Sequence, residues 1–430
     1  MYDLGLALSG GGSRAAAFHA GTLRAIADLH LVERIDVVST VSGGSLFGGA
    51  WLAARARGES EDAFLASMKT ELERGFILRS LRPSLAKTFL PWLEYTRTHV
   101  IGDTFDRIFL KGLTLSGLPE RPALCLNTSI LNNGQVGKFS REGFSAWGLK
   151  VPGATPEHVV PWHNFPVAYA VAASAAFPVG LPPLRLGHGR FPSGTRFTEG
   201  LAGSKHLFLT DGGVLENLGI QTLLRSGRFA AWDLIVSDAG TADTRWSLVP
   251  GWSTVKGLGI WIASGRILDR LMIVMNNKQN RWARQEVIDQ LESSWFAAAL
   301  RDGLKTPAID TLLRTHPVRA RRKLIFARVN QTRKSFVTGI PRHRLAELAD
   351  GNERDVPGSD DYGGLCDFLR AAGVHLEQAD TYYGQLGDDT QALAMNEVKT
   401  NFTALPTQVV EQLSNHAAWQ VHACAAVYGG

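Results

Sequence analysis

Residues 4–14 read LGLALSGGGSR, an apolar strand pattern that runs directly into three consecutive glycines. Apolar residues then recur at helical spacing between Phe18 and Leu29, which gives the predicted helix one apolar face. A second strand pattern at 35–40 leads into a sharp turn at 42–44 and another helical pattern. This order of strand, glycine turn, helix, strand, turn and helix predicts the start of a parallel α/β sheet covered by helices.

The composition is that of an ordinary globular protein of 430 residues, with 45% hydrophobic and 20% charged residues. General disorder and fibrous folds are therefore excluded. The net charge of +5 is small and no Lys/Arg block is present, so we expect no nucleic-acid partner and only weak attraction to anionic lipid surfaces. Three widely spaced cysteines, Cys125, Cys366 and Cys424, argue against a disulfide framework or a zinc site and favour a reducing compartment.

The sequence shows no secretory signal, because the first strand pattern follows Met1 without a charged segment, a long apolar segment or a cleavage site. The longest apolar-rich stretch, 167–184, is interrupted by three prolines and is a poor candidate for a membrane span. We therefore expect a soluble cytoplasmic protein that touches membranes, if at all, peripherally. Export by a signal-less route stays open, and the sequence leaves the oligomeric state undetermined.

Strand patterns return at 123–131, 208–210 and 234–237, so we expect the sheet to be complete by about residue 240. This predicts an α/β core over 1–240 and a mainly helical part over 241–430, packed on the core. Within the core, about 76–120 is an insertion rich in aromatic and basic residues, which suits a lid or a lipid-contact segment. The alternative for this insertion is a set of loops that simply cover the core. The C-terminal part contains a predicted helical stretch at 256–300, a strand candidate at 323–329 and terminal helices from about 404.

Ser42 stands where the second strand turns into a helix. A hydroxyl nucleophile must project from the backbone, and the elbow pattern Gly-x-Ser-x-Gly achieves this with small neighbours. Gly44 fits that pattern, whereas Thr40 occupies the earlier glycine position. Taken alone, the stretch fits an ordinary helix start with Ser42 as N-cap equally well.

The loop from Ser9 to Arg14 can present backbone amides at the positive end of a helix. Such amides suit an oxyanion hole or a phosphate cradle, and the loop resembles half a dinucleotide fingerprint with Ala15 in the last glycine place. Nucleotide binding is disfavoured, because the second strand ends in Ser-Thr-Val-Ser where a ribose-binding carboxylate is expected. Arg14 is either a surface residue of the first helical turn or a cation that holds an anionic head group or orders the loop.

Asp211 follows an apolar strand and precedes Gly212 and Gly213. An isolated Asp-Gly is usually a turn or helix-cap carboxylate. Here, however, serine, glycine loop and aspartate each follow an apolar strand. All three can therefore converge at the carboxyl edge of the sheet, where α/β proteins bind their ligands.

With these three motifs the chain resembles the patatin-like phospholipase family, whose pattern is a Gly-Gly-Gly-x-Arg loop, a Gly-x-Ser-x-Gly elbow and a later Asp-Gly-Gly or Asp-Gly-Ala. Residues 126–129 with Gly134, and the stretch 172–178 (AASAAFP), add to the likeness. The resemblance covers residues 4 to about 240 and, more loosely, 398 to the end. It implies a three-layer α/β/α fold with a central, mostly parallel sheet and a helical C-terminal extension.

By this resemblance the chain is a lipid acyl hydrolase that cleaves phospholipids or other lipid esters. Ser42 attacks the ester carbonyl and Asp211 takes its proton directly, so we expect burial to raise the pKa of Asp211 towards neutrality. No metal or cofactor is needed. The other implied site residues are the oxyanion donors Gly10, Gly11, Gly12 and Gly43, the small motif glycines Gly44, Gly212 and Gly213, and Arg14 for substrate binding.

Three alternatives remain at this point. A Ser-His-Asp triad would recruit His206, His163, His19 or His422, none of which lies in a recognisable motif. The same dyad would also serve a hydrolase of soluble esters or thioesters. Outside enzymes, a lipid-binding or scaffold protein with a degenerate site is the competing class, and the presence of both Ser42 and Asp211 disfavours it.

Overall fold

The computed structural model describes residues 2–76, 95–153, 158–178, 180–224, 228–240, 285, 323–398 and 401–428. Its strands, numbered in chain order, are β1 (Tyr2–Leu8), β2 (Ile35–Val41), β3 (Ala123–Ile130), β4 (Gln135–Ser140), β5 (Gly143–Ala146), β6 (Leu149–Lys150), β7 (Val159–Val160), β8 (Leu184–Gly187), β9 (Arg196–Phe197), β10 (His206–Asp211), β11 (Ala231–Asp238) and β12 (Leu324–Arg328).

Ten of these strands form one central sheet, and the two-residue strands β6 and β9 pair separately. Half of the sheet has the order β12-β11-β1-β2-β3, and every neighbouring pair in it is parallel. The middle strands β1 and β2 are mostly apolar and are buried for most of their length, as expected for strands that are covered on both faces. The predicted α/β architecture with a parallel sheet is confirmed.

The other half of the sheet is antiparallel. β4, β5 and β7 extend it beyond β3, while β10 pairs with the far end of β3 and with β8. The register aligns Val41 with Asn127 on β3, and Thr128 with Asp211 on β10. The ends of β2 and β10 therefore meet at the same level of the sheet, although the two strands run in opposite directions.

Helices cover the sheet and make up most of the described residues after 323. Those before residue 240 are α1 (Gly12–Asp28), α2 (Gly43–Ala56), α3 (Glu61–Arg74), α4 (Arg97–Phe105), α5 (Val167–Ser174) and α6 (Gln221–Leu224). Those after it are α7 (Arg333–Thr338), α8 (Arg342–Leu348), α9 (Tyr362–Ala371), α10 (Glu377–Leu386), α11 (Asp389–Ala394) and α12 (Thr407–Tyr428). The described helices include none that is both long and apolar enough to cross a bilayer.

The final helix, α12, packs closely along α1. A Cβ added to Gly21 would lie 1.8 Å from the carbonyl oxygen of Ser414, so only glycine allows this approach. Arg24 of α1 donates a hydrogen bond of 2.7 Å to Asn415, and Phe18 meets His416 edge to face. The helical C-terminal extension is thus present and lies against the first helix of the core.

The central sheet continues beyond residue 240. β12 pairs in parallel with β11, so the expectation that the sheet is complete by residue 240 was wrong. A sheet with a free apolar edge strand accepts another strand from anywhere in the chain, and the sequence does not reveal that pairing. The boundary at residue 240 stays a prediction, and the predicted helical stretch 256–300 lies almost entirely outside the described residues.

The predicted insertion at 76–120 lies partly outside the described residues, which resume at Tyr95. In the described part, Phe76, Phe105 and Phe109 are buried and contact one another or Phe402. These aromatic rings belong to the core, which agrees with the alternative of core-covering loops. A lid or lipid-contact role stays a prediction for the remainder of the insertion.

Candidate active site

Ser42 occupies a tight turn between β2 and α2. Its backbone has φ 51° and ψ −117°, a conformation that L-residues rarely adopt. A Cβ on Gly43 would lie 2.3 Å from the carbonyl oxygen of Gly12, and a Cβ on Gly44 would lie 2.3 Å from that of Leu8. The two glycines after Ser42 are therefore required by the close approach of the glycine loop, and the N-cap interpretation fails because the Ser42 side chain caps no amide.

Thr40, which departs from the elbow pattern, is accommodated by a glycine in the next helix. The Thr40 methyl group lies 2.7 Å from the position that a Cβ on Gly48 would occupy. Its hydroxyl lies 2.9 Å from the hydroxyl of Ser45 and donates to the carbonyl of Cys125. The elbow pattern requires a glycine two residues before the serine. Here Thr40 occupies that position, and the space for its side chain is provided by Gly48 on α2.

Ser174, at the end of α5, holds the backbone of Ser42 in place. Its hydroxyl accepts a hydrogen bond of 3.1 Å from the Ser42 amide and donates one of 2.5 Å to the carbonyl of Asn127. The Ser45 hydroxyl lies 2.7 Å away and completes a buried chain of hydroxyl groups with Thr40. In the sequence, Ser174 is only one residue of the family-like segment 172–178. Its contact with the Ser42 amide, 132 residues earlier in the chain, becomes evident only in the folded structure.

Asp211 ends β10 beside Ser42. The side chain is 2% exposed and accepts a hydrogen bond of 2.7 Å from the amide of Gly213. Burial raises its pKa to about 6, and the nearby Ser42 hydroxyl and the Gly213 amide oppose this rise. The predicted elevation of the Asp211 pKa is therefore confirmed.

Gly212 and Gly213 allow the turn after Asp211 to pack tightly. A Cβ on Gly212 would lie 2.5 Å from the carbonyl oxygen of Asn127, and one on Gly213 would lie 2.5 Å from Oδ1 of Asn217. The same Oδ1 atom lies 2.1 Å from the Cβ position of Gly10. Asn217, which no sequence pattern singles out, therefore lies between the glycine loop and the turn after Asp211.

The glycine loop lies against the nucleophile turn, since the Ser42 Cβ is 3.1 Å from the Cβ position of Gly10. The Gly10 amide donates a bond of 2.9 Å to the carbonyl of Asn217, which argues against the predicted role of Gly10 as an oxyanion donor. Gly11 and Gly12 have φ values of 143° and 58°, which only glycine adopts easily. Their amides and that of Gly43 have no acceptor among the described residues.

Arg14 lies on the next turn but does not face solvent. Its side chain is 1% exposed and donates hydrogen bonds to the carbonyls of Asn396 and Val398. The amide of Ser13 donates to the carbonyl of Asn401. The described residues 396–398 and 401–405, which we call the C-terminal strap, thus cover the start of α1. These contacts favour the loop-ordering interpretation of Arg14, and substrate binding by this residue stays a prediction.

The four histidines considered for a triad lie elsewhere. His19 is fully buried between the carbonyl of Ser9 and the hydroxyl of Ser237, and burial lowers its pKa to about 4. His206 contacts Arg185, and His422 lies 3.2 Å from Asp28. Neither these nor His163 is hydrogen-bonded to Ser42 or Asp211 in the described structure. No group of three potential metal ligands from histidine, cysteine, aspartate and glutamate occurs among the described residues.

A strained serine turn, a glycine loop and a buried aspartate at one edge of an α/β sheet define the arrangement found in serine-dependent acyl hydrolases. The sequence profile of the family described as patatin-like phospholipase matches residues 6–224. This range is half of the chain and contains every residue of the candidate site. The chain belongs to the patatin-like phospholipase family.

Solved structures show more distant likenesses. Human GIVD cytosolic phospholipase A2 in complex with methyl gamma-linolenyl fluorophosphonate is 13% identical with a TM-score of 0.49, and the match covers 99% of this chain and 58% of that one. VipD from Legionella pneumophila is 12% identical with a TM-score of 0.28, covering 98% and 91%. The chain therefore spans less than two thirds of the length of the human enzyme. A search of curated protein sequences gives no match.

Proposed function

We propose that this protein hydrolyses carboxylic esters of lipids through a covalent acyl-enzyme on Ser42, with Asp211 as the general base. The observation that carries this proposal is a buried carboxylate, Asp211, whose pKa is raised to about 6 by burial and which lies near enough to the Ser42 hydroxyl for that hydroxyl to oppose the rise. At neutral pH this carboxylate is ionised, yet it is basic enough to accept the proton of an attacking hydroxyl. Family membership indicates the class of substrate, namely phospholipids or related lipid esters.

In the first half-reaction the Ser42 oxygen bonds to the ester carbonyl carbon while its proton passes to Asp211. The carbonyl oxygen becomes an oxyanion, and the amides of Gly11, Gly12 and Gly43 are its proposed donors. When the intermediate collapses, the carbon–oxygen bond to the alcohol breaks and the alcohol leaves with the proton from Asp211. Water then gives a proton to Asp211 and bonds to the acyl carbon. The bond between that carbon and the Ser42 oxygen breaks, Asp211 returns the proton to Ser42, and the carboxylic acid leaves.

Reaction with an activity-based fluorophosphonate tests this proposal most directly. We expect one covalent adduct on Ser42 in the wild-type protein, none in Ser42→Ala, and slow labelling with negligible ester turnover in Asp211→Asn. Asp238→Asn is a matched control, because Asp238 is also a buried aspartate at a strand end that accepts the amide two residues later. An adduct on another residue, or undiminished turnover by Ser42→Ala, would contradict the mechanism.

The physical state of the substrate separates a lipid hydrolase from a hydrolase of soluble esters or thioesters. A short-chain ester should be assayed below and above the concentration at which it forms micelles. We expect activity to rise sharply with aggregation. A rate that follows simple saturation, with no change at the concentration where micelles form, would favour the soluble-ester alternative. That result would not contradict the proposed dyad.

A further inference from the structure

Three large apolar side chains are exposed next to one another beyond the ends of the central strands. Leu131 is 52% exposed, Trp147 63% and Phe208 38%. The Leu131 amide donates to the carbonyl of Phe208, and the side chain of Asn133 donates to the carbonyl of Trp147. Of the large hydrophobic side chains that are exposed in the described structure, only Leu393 lies elsewhere. We call these three residues the apolar tip.

The apolar tip lies at the same edge of the sheet as Ser42 and Asp211. On β10, Phe208 precedes Asp211 by three residues, and on β3 Leu131 follows Thr128, the partner of Asp211, by three residues. With a rise of about 3.3 Å per residue, the backbone of Leu131 and Phe208 stands about 10 Å beyond the level of Asp211. Trp147 follows Ala146, which the register through Gly137 and Thr128 places level with Asp211, so it stands one residue beyond that level. A surface that receives the tip therefore lies within reach of the candidate site.

Basic residues surround the apolar tip. Arg185 on β8 lies directly across from Phe208, so the two side chains share one face of the strand pair. Lys150, Arg196 and Lys205 are exposed on the neighbouring strands and turns. Residues 131–208 contain seven lysines and arginines against three glutamates, which is +4 of the chain's net +5. The positive charge of the molecule is thus concentrated in the segment that carries the tip.

We propose that the apolar tip and its basic surround form the surface by which this protein docks on an anionic lipid bilayer. Apolar side chains ringed by lysine and arginine suit the boundary between head groups and acyl chains, and tryptophan is particularly favoured there. Each nearby cation adds attraction to anionic head groups. The inference rests on the proposed function, since docking here would present lipid esters to Ser42. It places membrane contact on the tip, outside the 76–120 insertion.

Co-sedimentation with vesicles of ether-linked lipids tests the docking surface, because ether lipids cannot be hydrolysed during the measurement. Vesicles of phosphatidylcholine alone are compared with vesicles that also contain phosphatidylglycerol. We expect the wild-type protein to prefer the anionic vesicles. Trp147→Ser should weaken partitioning about tenfold. The double variant Lys150→Gln/Lys205→Gln should weaken it about thirtyfold on anionic vesicles and leave partitioning to neutral vesicles unchanged.

Leu393→Ser is the matched control, because Leu393 is 51% exposed on α11 and thus as accessible as Leu131. It should partition like the wild type. All variants should also hydrolyse a monomeric short-chain ester at the wild-type rate, which shows that fold and dyad are intact. Failure of the wild type to hydrolyse any ester would refute the proposed function. Co-sedimentation with ether-lipid vesicles does not depend on hydrolysis, so it tests the docking surface separately.

Two results would overturn the docking proposal. The first is partitioning of the wild type that is absent, or that neither the tip nor the lysine substitutions weaken relative to Leu393→Ser. The second is concentration-dependent self-association in the ultracentrifuge that Trp147→Ser abolishes. That outcome would assign the tip to an interface between copies of this chain.

Discussion

At the scale of single residues, the site depends on a backbone conformation that serine adopts only under constraint. Ser42 has a φ of 51°, and its amide is held by Ser174 while Gly43 and Gly44 pack against the glycine loop. Conformations of this kind cost about 1–3 kcal/mol and persist only where the surroundings enforce them. In the proposed mechanism this conformation presents the hydroxyl to Asp211, so the cost in stability and the proposed reactivity have the same origin.

This strain predicts an unusual order of stability between two inactive variants. Ser42→Gly should unfold at a higher urea concentration than Ser42→Ala, with a difference of about 1–2 kcal/mol in the free energy of unfolding, because glycine adopts this backbone without penalty. At ordinary sites glycine is the less stable of the two residues. An alanine variant as stable as the glycine variant would show that the turn is not strained.

The buried carboxylate predicts a pH dependence of both rate and stability. The rate of ester hydrolysis should fall as pH drops below about 6, because Asp211 is then protonated. A pKa raised by burial means that ionisation of Asp211 destabilises the fold, so the contribution of this one group to stability is greatest below about pH 4 and is lost as pH rises through 6. Asp211→Asn should therefore exceed the wild type in free energy of unfolding by up to about 3 kcal/mol at pH 8, and by little at pH 4.

Urea titrations of wild type, Asp211→Asn and Asp238→Asn at these two pH values measure the effect. An advantage of Asp211→Asn that does not shrink towards pH 4 would contradict a raised pKa in the native state.

The sequence predicted Ser42 and Asp211 because strand ends and glycine turns are local patterns. It did not predict Ser174, Asn217 or the partner of the Gly10 amide, because those contacts join residues far apart in the chain. Thr40 is a second case in which the sequence alone is insufficient. The sequence records the missing glycine of the elbow, whereas the compensating space at Gly48 becomes evident only when the helix packs on the strand.

At the scale of elements, the C-terminal strap connects the end of the chain to the glycine loop. Ser13 donates its amide to Asn401 and its hydroxyl to Thr403, while Arg14 donates to Asn396 and Val398. The strap therefore holds the first turn of α1, which follows directly on the proposed oxyanion donors. Helical patterning predicted α1 itself, but nothing local in the sequence links it to the strap.

Replacement of Arg14 distinguishes a positioning role from substrate binding. Arg14→Met keeps the bulk of the side chain but removes two hydrogen bonds to partly buried carbonyls, at about 1–3 kcal/mol each. If Arg14 orders the loop, kcat for a neutral monomeric ester should fall at least tenfold while KM changes little. If it binds an anionic head group instead, KM for an anionic substrate should rise and the neutral ester should be unaffected.

Arg24→Met is the matched control for this measurement. Arg24 lies on the same helix and ties it to Asn415 of α12, at a distance from the glycine loop. Its loss should reduce stability without a selective effect on kcat. Equal losses of kcat in the two variants would mean that α1 as a whole, rather than its first turn, governs the rate.

At the scale of the whole molecule, one sheet carries residues from both ends of the chain. β1 is flanked by β2 and β11, β12 adds a strand from after residue 323, and α12 packs along α1. The parallel half of this architecture was predictable, because each strand and helix has its own periodicity. The addition of β12 and the pairing of α1 with α12 were not, because long-range neighbours leave no periodic signal.

The two helices that pack together, α1 and α12, each carry a buried neutral histidine. His19 of α1 lies between Ser9 and Ser237, and His416 of α12 lies between the Val329 carbonyl and the indole of Trp419. Burial lowers the pKa of each histidine to about 4. Since an unfolded histidine takes up its proton near pH 6.5, acid favours the unfolded chain.

The protein should therefore lose stability as pH falls from about 6.5 towards 4. Each histidine contributes up to about 3 kcal/mol to this loss, and protonation of Asp211 offsets roughly one of the two contributions, since its pKa is displaced in the opposite sense. A net loss of about 3 kcal/mol is a large part of a typical folding free energy.

His416→Gln should be less stable than the wild type at pH 7, because contacts of the histidine are lost, but its free energy of unfolding should fall less steeply as the pH drops. His375→Gln, at a side chain that is 73% exposed, should follow the wild-type curve. Urea unfolding of the three proteins at pH 7, 5.5 and 4.5 measures these slopes, and a slope of His416→Gln equal to that of the wild type would show that this histidine does not resist protonation in the folded state.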